Sequence, residues 1–527
     1  MSDQAALISR AIEDQRRAAN PKQSVWVSAN AGTGKTKVLT DRIARLLLEG
    51  AEPAQILAVT YTKAAASEMK SRLFKVLGKW AIDDDSKLIA ALNALEGRAS
   101  DTPVSALQLS RARRLFARAL DTPGGLRILT IHAFCTTVLQ RFPLEAGIAP
   151  GFSVIEDTEA ENAATAARER LLDGGEKHRA AYELLAAEFD GDRFNGLLKA
   201  AKGRRRERDL VFAQGLDSAL ERLRNVLGVD PDATEHEIIV AAILDISRLA
   251  PVSVAALRAA GSVSDSNLAD AIEAALGCPE PERKFGELSK ALLTKGQPKK
   301  PTLSAKAKAN LAAMKFAKLA DFPGSGEAVD LVLATIETLK ALRTYQRTAA
   351  FLRLSETYAH AYAREKSARG ALDFDDLLAK TSALLNGSNG EAAWVLYKLD
   401  QGIEHVLIDE AQDTSPDQWD LLQPLFDELE AGSGARNKVR TRFIVGDEKQ
   451  SIYSFQGADP QRFLDEAARF GLPQRNDRSS IALGLSWRTT QTVLDAVDDV
   501  WGSDSVKPET KFLDTKRHTA QRQHDSG

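Results

Sequence analysis

One stretch near the N-terminus limits the possible folds more than any other. Residues 25–36 read Val-Trp-Val-Ser-Ala-Asn-Ala-Gly-Thr-Gly-Lys-Thr, and apolar residues at helical spacing follow from Val38 to Leu47. The order of apolar run, small-residue loop and helix is the context that a phosphate-binding P-loop requires. We therefore expect a parallel α/β sheet that binds a nucleoside triphosphate.

The residue types of this loop suit an anion. Gly32 and Gly34 can adopt backbone angles that turn successive N–H groups towards a phosphate. Lys35 is expected to reach the outer phosphates and Thr36 to bind Mg²⁺, at the positive end of the following helix. The first glycine of the usual pattern is replaced by alanine. The candidate phosphate-binding residues are Ala29, Asn30, Ala31, Gly32, Thr33, Gly34, Lys35 and Thr36.

A second motif lies far downstream, where the apolar run His405–Ile408 ends in two adjacent carboxylates, Asp409 and Glu410. In an ATPase, Asp409 can hold the Mg²⁺ shell and Glu410 can orient and deprotonate the attacking water. Acids at a helix N-terminus would be stabilising without any catalytic role. The β-type residues before the pair and the separate P-loop favour the catalytic interpretation.

Three further apolar runs end in polar or aromatic side chains. Phe443–Val445 precedes Gln450, whose amide could sense the γ-phosphate. The other two runs precede Tyr61 and His132. Because ligands bind at the carboxyl ends of strands in open α/β sheets, these residues are candidates for one site. Taken alone, a histidine such as His132 is more often structural than a ligand.

Two aromatic residues close to Gln450, Tyr453 and Phe455, have two possible roles. Exposed aromatics near a phosphate sensor suit the stacking of single-stranded bases, worth about 1–3 kcal/mol per base. Ordinary core packing explains the same spacing equally well. The sequence leaves both interpretations open.

The length and composition indicate a soluble protein of several domains. A chain of 527 residues is too long for one core and suggests roughly three domains. The formal net charge of −3 provides no global basic field, so any nucleic acid must bind in a local groove. The sequence shows no signal peptide and no apolar run of membrane-spanning length, which predicts a cytoplasmic protein without a membrane partner.

The pattern of elements changes along the chain. Residues 1–155 alternate strand-like runs with helical patterns, whereas residues 156–370 are rich in Ala, Leu, Glu and Arg at helical spacing. Strand-like runs return in residues 371–480, and residues 481–527 begin a further segment. We expect an α/β core, interrupted by a large all-α insertion and then completed.

The ordered set of motifs resembles superfamily-one helicases of the UvrD/Rep/RecB type, and within them most closely the AddA helicase–nuclease subunits of double-strand-break repair. The matching segments occur in family order and span almost the whole chain. They are Gln15, Ala29–Thr36, Ala58–Ala66, Thr130–Phe134, Leu372–Leu377, Asp409–Ser415, Val445–Asp459 and Ser486–Thr489.

The resemblance implies a RecA-like P-loop NTPase core and a role for each matching residue. Gln15 would contact the adenine edge, and Trp487 would stack on the adenine ring where the family usually has tyrosine. Gln450 and Arg488 would contact the γ-phosphate of ATP. The residues that would line the track for single-stranded DNA are Tyr61, His132, Tyr453 and Phe455.

The resemblance also implies an activity and partners. These are ATP- and Mg²⁺-dependent 3′→5′ movement along single-stranded DNA, separation of the duplex, and an AddB-like partner subunit. Residues 481–527 would begin a second RecA-like domain, of which the later motifs and the nuclease domain are missing. We therefore expect an N-terminal portion that hydrolyses ATP slowly. The alternative is a non-translocating module that uses ATP to bind DNA or a partner.

Overall fold

The structure, a computed structural model, divides the chain into two compact units. The first comprises residues 1–156 and 370–527, and the second comprises residues 157–369. The residues described are 3–230, 232–260, 263–294, 297–298, 325–387, 390–400, 402–431, 439–451, 457–471, 478–501 and 518–522.

The first unit is built on a parallel sheet of six strands, in the order β10-β1-β9-β8-β2-β3. Parallel pairing requires long crossover connections, which helices supply here. The strands among the described residues are β1 (Ser24–Ala29), β2 (Ile56–Thr60), β3 (Arg127–Thr130), β4 (Ser153–Val154), β5 (Leu293–Thr294), β6 (Gln297–Pro298), β7 (Ala371–Leu372), β8 (His405–Ile408), β9 (Thr441–Gly446), β10 (Arg478–Leu483), β11 (Leu485–Thr490) and β12 (Thr519–Arg522).

Successive residues of the sheet strands pack into two different cores. In β1, Val25 and Val27 join one apolar cluster, while Trp26 joins the other. In β2, Ala58 belongs to the first cluster and Leu57 to the second. Side chains alternate between the two faces of a strand, so both faces of this sheet are buried. This explains why the strands read as continuous apolar runs rather than as alternating patterns.

Helices connect the strands and cover both faces of the sheet. A 3₁₀ turn at Ala411–Asp413 follows β8, and another at Glu448–Gln450 follows β9. The α-helices of the first unit are Asp3–Ala18, Lys35–Glu49, Lys63–Ile82, Asp85–Glu96, Ala106–Asp121, Ile131–Arg141, Phe374–Asn386, Gly390–Asp400, Pro416–Ala431, Pro460–Phe470 and Gln491–Trp501.

The second unit consists mainly of helices, among them one of 44 residues, Ser325–Ala368. The other α-helices in its described residues are Asp157–Glu169, Glu176–Glu188, Gly191–Gly203, Arg205–Val211, Leu216–Leu227, Glu235–Ala260, Val263–Leu276 and Pro281–Leu292. The expectation of a purely helical insertion needs one correction, because β5 and β6 form a short antiparallel ladder. Two residues on each side are too few to produce a strand pattern in the sequence.

The chain leaves the first unit and returns to it at neighbouring positions. The parallel pair β4 and β7 joins Ser153 to Ala371 and Val154 to Leu372. The amide of Ile155 also donates to the Leu372 carbonyl at 3.0 Å. The second unit is thus connected to the first through two adjacent segments.

The α/β class and the parallel sheet predicted from the sequence are confirmed, and the strand-like runs are strands. The strands near the C-terminus do not follow the segments suggested by the sequence. Strand β10 pairs with β1 and crosses position 480, where the sequence suggested a boundary. Strands β11 and β12 form a separate parallel pair, with helix Gln491–Trp501 between them in the chain. None of the described helices is long and apolar enough to cross a membrane.

One fully buried arginine, Arg42, forms hydrogen bonds to several segments of the first unit. Its guanidinium donates to the carbonyls of Ala18, Asn20 and Gln23 at 3.3, 2.5 and 2.6 Å, and to the Thr441 hydroxyl at 3.0 Å. Burial, followed by the neighbouring Arg45, lowers the pKa of Arg42 to about 9. Four acceptors therefore depend on this one buried side chain.

Replacing Arg42 by leucine should lower the free energy of unfolding by about 3–5 kcal/mol, because the buried acceptors lose their donor. Urea unfolding followed by circular dichroism measures the change. Arg17→Leu is the control, since Arg17 is exposed and forms only a surface pair with Asp14. Equal stabilities of the two variants would contradict this role of Arg42.

Candidate nucleotide-binding site

The loop after β1 has the backbone of an anion site. Gly32 and Gly34 have φ values of +77° and +93°, a backbone conformation that residues with a Cβ rarely adopt. Gly34 is the N-cap of helix Lys35–Glu49, and no side chain caps that helix end. The first N–H groups of the helix are therefore left for a ligand, which is the arrangement that binds phosphate.

The rest of the loop is held by its own bonds and by its neighbours. The Asn30 amide donates to Leu483 in β10 at 3.4 Å, and the Thr33 hydroxyl donates to the Asn30 carbonyl at 2.8 Å. Ala29 is the last residue of β1 and pairs with Leu483, whereas Ala31 is exposed. Ala29 therefore completes the strand, and the turn begins at Asn30.

The two predicted catalytic motifs meet at the carboxyl edge of the sheet. Lys35 Nζ lies 2.8 Å from Glu410 Oε2, although 375 positions separate them in sequence. Register explains the meeting, since Ile408 pairs with Val59 on one side and with Ile444 on the other. The ends of the central strands are thus level.

Glu410 has an unusual backbone conformation. Its φ of +49° lies in the left-handed region. Among the described residues, no other residue except glycine has a positive φ. Such a conformation costs about 1–3 kcal/mol and is concentrated at functional sites. Lys35 Nζ and Gln412 Nε2 both donate to Glu410 Oε2 at 2.8 Å. This carboxylate is therefore held in one orientation.

Asp409 is buried beside this pair. Desolvation, followed by the nearby charge of Glu410, raises the pKa of Asp409 to about 7, and Lys35 opposes the shift. Its Oδ1 accepts from the Glu410 amide at 3.1 Å. An ionised Asp409 is costly in the protein alone, and a bound cation would offset that cost.

Asparagine at position 409 should stabilise the nucleotide-free protein at pH 8. The folded-state pKa of about 7 lies above the ordinary value of 3.8. The free energy of unfolding of the wild-type protein therefore falls as the pH rises between those values. Asp409→Asn should gain about 1–4 kcal/mol at pH 8, and the gain should shrink towards pH 5. Urea unfolding at both pH values tests this, with exposed Asp465→Asn as the control. A gain independent of pH would contradict the assignment.

The end of β9 adds a second polar group to the site. Burial raises the pKa of Asp447, while Lys35 lowers it. The predicted sensor Gln450 donates through Nε2 to Asp447 Oδ2 at 2.5 Å. Lys449 Nζ lies 3.4 Å from Asn30 Oδ1 and so places a further cation beside the loop.

A cavity of about 380 Å³ adjoins the loop and is suited in size to a base. Gln15 and Trp487 both line it, together with Leu7, Arg10 and Leu485. Gln15 Nε2 donates to the Thr33 carbonyl at 2.9 Å. The Trp487 indole N–H is buried and finds no hydrogen-bond partner among the described residues.

Arg488 lies beside the loop because the backbone of β11 is bonded to it. The Trp487 amide donates to the Gly32 carbonyl at 2.9 Å. A Cβ on Gly32 would come within 2.7 Å of Ser486 Oγ and 3.0 Å of Arg488 Cβ. Only glycine fits at this close approach, and Arg488 itself is exposed towards solvent.

Two of the four predicted DNA-binding residues lie at neighbouring strand ends. Tyr61 follows β2, and His132 lies in the first turn of the helix after β3, which pairs with β2. The His132 ring packs edge-on to Phe374 with centroids 5.0 Å apart, and burial lowers its pKa. Tyr453 and Phe455 lie outside the described residues, so their roles remain predictions.

Sequence reasoning did not assign roles to Gln412, Asp447 and Lys449. Gln412 lies between two carboxylates in the Asp-Glu-Ala-Gln-Asp segment, a pattern that could have suggested a bonded amide. The bonds of Asp447 and Lys449 connect strands that are remote in sequence. Only the sheet topology brings them to the loop.

The chemistry of the donor set suits Mg²⁺ bound together with a nucleotide. Within the described part of the chain, no group of three or more His, Cys, Asp or Glu side chains could hold a metal ion. Mg²⁺ typically uses one or two protein ligands and completes its shell with water and phosphate oxygens. Thr36 and Asp409 provide a hydroxyl and a carboxylate of this kind.

Similar proteins are found among helicase–nucleases. The chain is 28% identical to the A subunit of the ATP-dependent helicase/nuclease of Lactiplantibacillus plantarum, over 89% of this chain and 37% of that protein. It is 25% identical to the Pediococcus pentosaceus protein of the same name, over 91% and 38%. The Enterococcus faecalis protein of that name is 27% identical over 90% and 36%. The chain thus spans less than two fifths of the length of these relatives.

The family itself follows from a match that covers most of the chain. Residues 12–471 match the UvrD/REP helicase N-terminal domain. This range contains the loop after β1, the Asp409–Glu410 pair and the end of β9, which the structure brings to one edge of the sheet. The chain belongs to the UvrD/REP helicase N-terminal domain family.

Proposed function

We propose that the chain is the ATP-dependent motor part of a DNA helicase of double-strand-break repair. It would bind ATP with Mg²⁺ and couple hydrolysis to 3′→5′ movement along single-stranded DNA. The observation that carries the proposal is the contact between Lys35 and Glu410 at 2.8 Å. A P-loop ATPase needs a lysine for the phosphates and a residue that orients the attacking water, and this contact brings candidates for both to one place.

Each part of the nucleotide has residues suited to it. The loop N–H groups and Lys35 would hold the phosphates, and Thr36 with Asp409 would hold Mg²⁺, which neutralises phosphate charge when bound. Glu410 would take a proton from the attacking water. Gln450 and Arg488 would contact the γ-phosphate of ATP. Gln15 and Trp487, in the cavity beside the loop, would bind adenine.

The proposed domains follow the family pattern. Residues 157–369 would be an insertion in the first RecA-like domain, and β11 with the following helix and β12 would begin the second. The relatives are each named as one subunit of a helicase/nuclease, which supports an AddB-like partner subunit. Single-stranded and duplex DNA would be the substrates, in the cytoplasm.

A DNA-binding measurement tests the proposed track. Tyr61→Ala should weaken binding of a fluorescent single-stranded oligonucleotide by about 5- to 150-fold, the loss of one stacked base. Affinity for a non-hydrolysable ATP analogue should stay unchanged. Fluorescence anisotropy measures both, with Tyr397→Ala as the control, because Tyr397 is exposed on helix Gly390–Asp400. Equal DNA affinity of the two variants would contradict the track.

A further inference from the structure

We propose that Gln412 is a positioning residue that connects the Glu410 carboxylate to the end of β9, so that hydrolysis and its stimulation by DNA depend on it. This inference rests on the proposed function. The Gln412 side chain is hydrogen-bonded to Glu410, to Asp447 and, at 3.4 Å, to Asp413. It would act through Glu410 and through the segment that follows β9.

The nitrogen end of the Gln412 amide faces the catalytic carboxylate. Nε2 donates to Glu410 Oε2 at 2.8 Å, the same oxygen that accepts from Lys35. Lys35 would have to turn to phosphate when ATP binds, and Gln412 would then be the donor that still holds Glu410.

The oxygen end of the amide faces β9. Gln412 Oε1 accepts from the Asp447 amide at 2.8 Å. A Cβ on Gly446 would come within 2.8 Å of the same oxygen, so the strand end and the amide are in close contact. The two bonds together fix the amide orientation, since a flipped amide would face the Asp447 N–H with its own donor.

A third bond links the Gln412 backbone to the segment after β9. Ser451 Oγ donates to the Gln412 carbonyl at 3.2 Å. Ser451 begins the segment that contains Tyr453 and Phe455, for which the sequence predicts a role in DNA binding. Gln412 is therefore bonded, through its carbonyl, to a residue close in sequence to those predicted to bind DNA.

A purely structural role would account for a buried amide but predicts different kinetics. Gln412 is 1% exposed, so loss of its bonds would cost stability in either case. If Gln412 were only structural, its loss would lower the stability. Nucleotide affinity, the hydrolysis rate and its stimulation by DNA would then stay the same in the folded protein. A positioning residue would change hydrolysis while affinity stays the same.

Two substitutions separate the two ends of the amide. Gln412→Glu keeps the acceptor for Asp447 but replaces the donor to Glu410 by an oxygen. Gln412→Leu removes both bonds, and the longer bond to Asp413 Oδ2, at similar volume. The assay is single-turnover hydrolysis of radiolabelled ATP by excess full chain, with and without single-stranded DNA, beside the affinity for a fluorescent ATP analogue. Gln423→Leu, in helix Pro416–Ala431, is the matched control.

Both variants should hydrolyse ATP about 10- to 100-fold more slowly than wild type, with nucleotide affinity within about threefold. Gln412→Leu should also lose most of the DNA stimulation. Hydrolysis within twofold of wild type in both variants would overturn the inference and leave the proposed function intact. Absence of hydrolysis by the wild-type chain would instead overturn the proposed function, and the inference with it.

If both Gln412 variants fail to fold, Ser451→Ala decides the question. It removes the bond to the Gln412 carbonyl without altering the buried amide. DNA stimulation should fall by at least twofold in this variant. Unchanged stimulation would overturn the inference.

Discussion

Replacing Glu410 by glutamine is expected to slow ATP hydrolysis by about 10²- to 10⁴-fold, the usual contribution of a general base. Glutamine has nearly the same shape, and it can still accept a hydrogen bond from Lys35. Nucleotide affinity should therefore stay within about threefold of wild type. Single-turnover hydrolysis and an equilibrium binding titration on the same preparation measure the two quantities.

The control for this variant is a glutamate remote from the site. Glu221 is exposed in the second unit, and Glu221→Gln should hydrolyse ATP at the wild-type rate. If Glu410→Gln also hydrolyses at that rate, Glu410 is not the base. A large loss of affinity would mean instead that Glu410 acts in binding.

Replacing Lys35 by alanine is expected to weaken ATP binding by about 30- to 4,000-fold, equivalent to a loss of 2–5 kcal/mol for a buried charge contact. The Lys35 side chain is 10% exposed and neutralises the surrounding carboxylates. Its removal would take this positive charge away from Asp409, Glu410 and Asp447, so their repulsion of the triphosphate would increase. Isothermal titration with ATP and Mg²⁺ measures the loss.

A lysine on the same helix provides a close control. Lys37 is 61% exposed and pairs with Asp41 at 2.6 Å. Lys37→Ala should bind ATP within about twofold of wild type, as expected for a surface ion pair. Equal affinities of the two alanine variants would show that the loop does not bind the phosphates.

The parts of the site that sequence could predict depend on local pattern. The loop after β1 and the Asp409–Glu410 pair each follow a continuous apolar run, and the sheet buries those runs on both faces. Parallel strands of this kind end at one edge, so the order of the motifs alone was enough to place their terminal residues together. The contact between Lys35 and Glu410 follows from that logic.

The parts that sequence could not predict depend on pairing between distant segments. Strand β10 begins Arg-Ser-Ser and becomes apolar only at its last three residues, and β12 reads Thr-Ala-Gln-Arg, so neither is a continuous apolar run. Both segments become strands because their backbones pair with those of β1 and β11. The bond from the Asp447 amide to Gln412 likewise arises only once β8 and β9 are adjacent.

The most direct test of the central claim is DNA-dependent ATP hydrolysis by the purified full chain, measured under single-turnover conditions beside Lys35→Ala. This chain should hydrolyse ATP slowly, hydrolyse it faster when single-stranded DNA is added, and show no hydrolysis in the Lys35→Ala variant. A wild-type rate that is indifferent to DNA, or that persists in Lys35→Ala, would contradict the assignment of the site as an ATP-driven DNA motor.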